Sequence, residues 1–333
     1  MPSTIFRVSM HAITAICFLL IVLIIMNRDI PQLSLLTADH IQSFKTMFIS
    51  ILLEAIPFIL LGVLLSALLQ NFVSEQTIRR WIPTNPVLGI LFACVLGILF
   101  PMCECGMIPV VRRLIMKGMP VYIAVVFILT GPIINPIVFA ATFMAFRNHP
   151  YMAYSRMGLA FMVAAVIGVL LYRFVKSNPL RISRTHFSSQ ESVEGHQHQG
   201  SRFTSFFVHA SDEFFEMGKY LVFGSLLTAL IQTFMQRESL VAIGQGPVSS
   251  HLFMMGFAYV LSLCSTSDAF VASSFQTTFT SGSLLTFLVL GPMLDFKSTL
   301  MLLSVFKTKF VFVLSVLVAM TVLSISMLWE VLS

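Results

Sequence analysis

Apolar residues in this chain run on almost without interruption, so no single helix face stands out. No Asp, Glu, Lys or Arg occurs in residues 8–27, 81–103, 118–146, 157–172, 220–236, 239–267, 269–294 and 310–329, and 46–70 is interrupted only by Glu54. A hydrocarbon layer of ~30 Å is crossed by about 20 helical residues. The pattern therefore predicts spans over residues 9–26, 46–70, 86–112, 120–146, 154–175, 212–236, 250–277, 283–305 and 308–330. Lipid cannot satisfy backbone polar groups, so runs this long read as helices. The expected fold is an all-α polytopic transmembrane bundle with about eight or nine spans.

One sizeable polar stretch divides the chain. Residues 176–202 hold Lys176, Arg181, Arg184, Ser188, Ser189, Glu191, Glu194, His196, Gln197 and His198. They cannot bury enough apolar surface to order themselves, and they read as a solvated linker. The expected organisation is an N-terminal anchor helix and loop at 1–40, a first unit at 41–175, a linker at 176–206 and a second unit at 207–333. Arg7 followed by the apolar run 12–26 resembles a signal peptide. It lacks a small-x-small cleavage site, and a retained anchor is expected.

Composition narrows the class further. Only 34 of 333 residues are charged, 20 basic and 14 acidic, whereas an average soluble domain of this length carries roughly 83. The hydrophobic share is 57% and the mean hydropathy is +0.92, which no soluble fold covers with so few charges. The net charge of +6 lies mainly in short loops, the juxtamembrane pattern, and does not indicate nucleic acid. With one crossing per span and a cytoplasmic linker, Arg28, Lys45, Arg112, Arg113, Lys117, Arg173, Lys176, Arg181, Arg184 and Arg202 fall inside. Arg7, Arg79, Arg80, Arg147 and Arg156 fall outside, so the count favours an outside N-terminus. Lys307 and Lys309 oppose it.

The halves share residues in a fixed order. A shift of 162 places Glu54 on Glu216, Gly62 on Gly224, Ala67 on Ala229, Gln70 on Gln232 and Phe72 on Phe234. A shift of 161 places Cys103 on Cys264, and a shift of 160 places Gly131-Pro132 on Gly291-Pro292 and Asn135 on Asp295. Membrane chains with two related halves are most often transporters, with the site at the interface of the repeats. Whether these repeats are parallel or inverted depends on whether a re-entrant segment is present.

The candidate chemistry lies where apolar runs are broken. Pro101, Gly106 and Pro109 surround Cys103-Glu104-Cys105, and prolines this close disturb a helix. Irregular backbone at membrane depth is tolerated only where protein or a water-filled cavity satisfies it. The matching break in the second half is Cys264-Ser265-Thr266-Ser267-Asp268. A second pair is Gly131-Pro132 with Asn135, and Gly291-Pro292 with Asp295. Ionisable residues inside spans are functional candidates by default. Cys103, Glu104, Cys105, Cys264, Ser265, Ser267, Asp268, Asn135 and Asp295 are the candidate substrate contacts, and Glu54 and Glu216 are candidates for proton coupling. Thiolates select soft, thiophilic ions over hard ones, so Cys103, Cys105 and Cys264 can act as transient substrate ligands, with redox chemistry and plain packing as the alternatives. Cys17 and Cys94 lie inside apolar runs and read as packing residues, and no disulfide framework is implied. No G-x-x-x-x-G-K-[ST] loop occurs, and no cofactor is expected.

These motifs resemble a known family. The run Pro101-Met102-Cys103-Glu104-Cys105-Gly106-Met107-Ile108-Pro109, then Gly118-Met119-Pro120, then Gly131-Pro132-Ile133-Ile134-Asn135-Pro136 is similar to the ArsP-type predicted permeases. So are Cys264-Ser265-Thr266-Ser267-Asp268-Ala269-Phe270 and Gly291-Pro292-Met293-Leu294-Asp295. The resemblance covers about residues 40–310 and is nearest to the YcgR-like branch. It implies a multi-pass permease of the bacterial plasma membrane. One branch of the family exports trivalent organoarsenicals through cysteine thiols, which would map onto Cys103, Cys105 and Cys264, but Glu104 replaces the small residue usual there. The YcgR-like branch implies a second membrane subunit. The expected activity is thus transport of a small thiophilic metal ion or metalloid compound by a non-enzymatic permease. An intramembrane thiol oxidoreductase and a non-transporting subunit of a two-component complex are the competing readings.

Overall fold

The computed structural model describes residues 38–72, 85–100, 102–175, 179–181, 202–234 and 246–332, with a few single positions between 76 and 83. The expected anchor helix at 9–26, Pro101 and most of the 176–206 linker lie outside the described residues. Among the described residues the chain is helical, apart from one bridge between Leu180 and Phe306. The helices are α1 Ala38–Phe72, α2 Pro86–Leu99, α3 Glu104–Met116, α4 Val121–Thr130, α5 Pro136–Ala145 and α6 Tyr151–Phe174. They continue as α7 Arg202–Phe234, α8 Pro247–Leu261, α9 Ser267–Ser273, α10 Ser281–Met293, α11 Phe296–Val305 and α12 Thr308–Leu332.

Local chemistry sets several of these boundaries. Asn85 accepts from Val87 N ahead of Pro86, and Asn135 accepts from Val138 N ahead of Pro136. A short polar cap followed by a proline in the first turn is a strong helix start. Asp295 and Ser298 form a reciprocal capping box at the start of α11. Gly118 has φ of 98° in the turn between α3 and α4, a conformation that glycine adopts without the Cβ penalty.

Contacts fix the direction of each helix. Along α2, Gly89 lies against Tyr122 and Gly97 against Thr130 and Gly131, so α2 and α4 run parallel. The intervening α3 must return: Met107 near its start lies against Gly131, and its end leads through Gly118 into α4. Residues 86–116 are therefore a helical hairpin that enters and leaves on one face, correcting the expected crossing at 86–112. The second half repeats the device. His251 bonds Thr286 and Ala258 faces Gly291, so α8 and α10 run parallel. Phe275 and Phe279 then return along Phe257 and Phe253, so residues 250–277 also turn back.

The α4–α5 segment and the α10–α11 segment each continue in one direction through a break. Tyr122 meets Tyr172 and Phe139 meets Tyr154, so α6 runs back along both halves of α4–α5. Ser281–Val305, Ile41–Leu69, Tyr151–Phe174, Ala210–Thr233 and Thr308–Leu332 are long and apolar enough to cross a membrane. In Ser281–Val305, 78% of the best window is buried in protein, against 28% in Ile41–Leu69, so α10–α11 is the central span. Three crossings in the first half put the start of α7 on the face opposite the start of α1. Met217 meets Ser304 and Gly224 meets Lys297, so α7 opposes α11, whereas α1 runs parallel to α3.

Three arginines leave their expected loops. Arg112 and Arg113 of α3 are buried and pair with Glu216 at 3.0 Å and Glu213 at 3.4 Å on α7. Ser66 of α1 also donates to Glu213, at 2.9 Å, tying α1, α3 and α7 together. Arg156 is 0% exposed, inside α6. These three buried charges drop out of the loop count of basic residues, and the hairpins at 86–116 and 250–277 alter the crossings that the count assumed. Glu216, near the start of the predicted span 212–236, lies in mid-helix because α7 begins at Arg202, and it pairs with Arg112.

Candidate functional site

Four short helices begin in the middle of the bundle, where Cys103, Asn135, Thr266 and Asp295 are the N-caps of α3, α5, α9 and α11. Broken spans of this kind place partial positive helix ends at a central site. The pairing crosses between halves, since α3 packs on α11 and α9 packs on α5. Each hairpin tip is thus seated on the broken span of the opposite half.

The first tip carries the thiols. Glu104 opens α3 and is 3% exposed. Its Oε1 lies 3.6 Å from Nζ of Lys297, whose ammonium is 4.0 Å from Oδ2 of Asp295. Both separations exceed a hydrogen bond, and Oε2 of Glu104 and Oδ2 of Asp295 have no hydrogen-bond partner. The Cys105 thiol is buried and that of Cys103 is half-buried, and both lie within electrostatic reach of Lys297. Asp295 uses its other oxygen, Oδ1, to cap Ser298 N at 2.5 Å.

The second tip is tightly paired. Oδ2 of Asp268 accepts from Nη2 of Arg156 at 2.7 Å, and Nη1 of Arg156 donates to Thr142 at 2.8 Å. All three residues are buried. Cys264 stands in the loop before α9, half-buried, with Sγ 3.5 Å from the Thr266 hydroxyl. Ser265 is buried and Ser267 is exposed. Asn135 does not reach either charge cluster: Nδ2 bonds Gly131 O at 3.1 Å and Oδ1 caps α5.

The two tips share one electrostatic environment, because Glu104 acts on both Cys264 and Asp268. Glu54 of α1 acts on Glu104 and Cys264 while itself exposed. Among the described residues no three His, Cys, Asp or Glu side chains gather into a metal-holding group, so the three thiols are not a preformed cage.

Several expected helix breaks move. Gly131-Pro132 does lie in the turn between α4 and α5, but α3 runs through Gly106 and Pro109, and Gly291-Pro292 lies in the last turn of α10. Pro109 lies past the first four N–H groups, which lack an intrahelical acceptor, so it removes one bond of α3, the one to Cys105 O. Pro109 is the sixth residue of α3, and its carbonyl lies 3.4 Å from the Ser66 hydroxyl. Gly106 serves contact: a Cβ there would lie 2.7 Å from Phe58 O, and one on Gly62 would overlap Gly106 O. The two glycines let α1 and α3 touch backbone to backbone.

Lys297 and Arg156 were not singled out by sequence reasoning, although both are ionisable residues within predicted spans, a signal that marks functional candidates. A further buried group also escaped. His251 bonds Glu330 at 2.6 Å through Nε2 and Thr286 at 2.7 Å through Nδ1, joining α8, α10 and α12. An apolar cavity of about 310 Å³ lies in the first half, lined by Leu65, Phe92, Leu96, Phe100, Met107 and Phe127 among others.

Known proteins bear on this architecture. A relative from Bacillus subtilis (strain 168), UPF0718 protein YcgR, is 49% identical over 285 residues, covering 85% of this chain and 96% of its own. A Streptococcus mutans protein described as a putative two-component membrane permease complex subunit is 39% identical over 267 residues, covering 80% of this chain and 87% of its own. No solved structure matches. Residues 40–331 match the ArsP-type family described as predicted permease. The chain is a multi-pass helical membrane protein and belongs to this predicted permease family.

Proposed function

We propose that this chain is the transporting subunit of a permease and that its substrate crosses between the two hairpin tips. The observation that carries this reading is the convergence of oppositely directed hairpins on buried Glu104, Lys297, Asp295, Asp268 and Arg156, with Glu54 exposed beside them. Buried ions cost several kcal/mol each after relaxation, and such groups inside spans mark substrate or ion pathways. We further read the halves as an inverted duplication. The fixed-order matches between 54–135 and 216–295, and the opposed directions of α1 and α7, support it. Transport then proceeds by alternating access, one hairpin and its seat moving against the other.

The substrate in this reading is a small thiophilic metal ion or metalloid compound. Cys103 and Cys105 lie at one tip and Cys264 at the other, so three soft ligands come together only if the tips approach. A deletion strain is grown against As(III), methylated As(III), Sb(III), Zn²⁺, Cu⁺ and Cd²⁺, then complemented with wild type, Cys103→Ser or Cys264→Ser. Altered tolerance to one ion, restored by wild type and lost with either serine, is the expected result. Unchanged growth throughout removes the thiol-ligand reading. The name of the Streptococcus mutans relative favours a second arrangement, in which the chain works only with another membrane subunit. Flux by the purified chain alone in liposomes excludes it.

A further inference from the structure

The two hairpin tips balance their charge differently. At the second, one carboxylate meets one guanidinium at hydrogen-bond distance, so the charges cancel, although Oδ1 of Asp268 and Nε of Arg156 have no hydrogen-bond partner. At the first, two carboxylates share one ammonium at 3.6 and 4.0 Å, leaving a surplus negative charge and two bare oxygens, Glu104 Oε2 and Asp295 Oδ2. Glu104 and Asp295 are 3% and 0% exposed. A buried polar atom without a partner calls for a specific explanation, such as an ion or water that satisfies it. The N-termini of α3 and α11 supply only partial charge, and α11 spends it on the cap oxygen Oδ1 of Asp295. Other charged or titratable groups acting on this cluster are Glu54 from α1, Cys103 and Cys105 from α3, and Cys264 and Asp268 from the second tip. None of these adds a positive charge.

We propose that Glu104 and Asp295 form a binding site for a small monovalent inorganic cation, with the Lys297 ammonium as its built-in competitor. Bare carboxylate oxygens are hard donors and suit Na⁺ or Li⁺ better than a soft ion. In the arrangement seen here Lys297 occupies the space between the carboxylates without closing on either. An arriving cation takes the bare oxygens and relaxes the hold on Lys297, which loosens α3 from α11, the contact that seats the first hairpin. Cation binding is thereby linked to hairpin movement. The site rests on the reading of the tips as the transport path, and it assigns the coupling role to Glu104 and Asp295 in place of Glu54 and Glu216.

The test uses the purified full chain in detergent, with NaCl titrated against N-methylglucamine chloride at constant ionic strength and fixed pH. Thermal midpoint and ²²Na⁺ binding are followed, with LiCl and KCl as parallel titrations. A saturable rise in midpoint, matched by bound ²²Na⁺, is expected. Asp295→Asn keeps an N-cap of the kind Asn135 provides in the first half and should weaken binding at least tenfold; Glu104→Gln should do the same. Lys297→Met removes the competitor and should tighten binding about tenfold, a sign that a purely structural lysine would not produce. If Lys297→Met does not fold, Asp295→Asn and Glu104→Gln decide alone. The proposal is overturned by the absence of a saturable effect of all three ions, by a response to pH alone, by binding that survives Asp295→Asn, or by weaker binding in Lys297→Met. Equilibrium binding requires no substrate flux, so flux without cation binding overturns this proposal alone, and cation binding without flux, by the chain alone and with a second subunit, overturns the permease reading alone.

Discussion

The two hairpin tips are built on one plan and stabilised in different ways. In the second, Arg156 bridges Asp268 and Thr142 through hydrogen bonds of 2.7 and 2.8 Å, with Oδ1 of Asp268 and Nε of Arg156 left without a partner. In the first, Glu104, Lys297 and Asp295 sit apart, without a direct hydrogen bond among them. Geometry decides what each can do. A closed buried pair costs much to separate, so the second tip is the anchored one. The first tip holds surplus charge and two thiols, with no hydrogen bond between its ammonium and either carboxylate, and it is the one suited to exchange partners.

The largest expected effect is on the anchored tip. Arg156→Met leaves Asp268 buried and unpaired, and should destabilise the protein by about 3–5 kcal/mol. Unfolding in detergent measures it, and pairing Arg156→Met with Asp268→Asn should recover much of the loss. If Arg156→Met is nearly neutral, the contrast between the tips disappears. Lys297→Met should cost less, by about 1.5–3 kcal/mol, because charge-assisted hydrogen bonds of that worth are missing there. A loss equal to that of Arg156→Met would show the first tip to be as firmly paired as the second.

Next come the seats of the long helices. Gly106→Ala would drive a Cβ to within 2.7 Å of Phe58 O, and overpacking of this kind costs about 1–3 kcal/mol. Gly224, which matches Gly62 in the second half, has its nearest neighbours at 3.4 Å. Its replacement by alanine should stay within about 0.5 kcal/mol, as substitutions away from special features do. Equal midpoint shifts for Gly106→Ala and Gly224→Ala would overturn this difference. The smallest effect on stability is expected at the thiols. Cys103→Ser and Cys264→Ser should leave the unfolding midpoint almost unchanged while abolishing the ion-specific growth phenotype, and a large fall in midpoint would assign both to packing.

Much of the site was legible in the chain because membrane depth makes polar residues conspicuous. Glu104, Asp268 and Asp295 interrupt apolar runs, and all three are buried in the middle of the bundle. Arg156 and Lys297 lie in equally apolar surroundings, but near the ends of charge-free runs they look like loop charges. Only their partners distinguish them, and those partners lie 112 and 193 residues away in sequence. The cysteines were legible as residues of two separate breaks, while the seating of each break on the span of the opposite half was not.

Hydropathy and the order of the breaks are sufficient for a helical membrane protein, because lipid forces backbone bonding within each long apolar run. They carry no sign of direction: a predicted span of 27 residues suits one broken crossing or a hairpin equally well, as 86–112 demonstrates. Side-chain contacts between distant segments choose between these, since Gly97 against Gly131 forces α2 and α4 parallel and turns α3 back. The same contacts bring Glu104 to Lys297 and Asp268 to Arg156. Which charge is matched and which is left in surplus is therefore a property of packing between the halves, where fractions of an ångström separate a hydrogen bond from a gap.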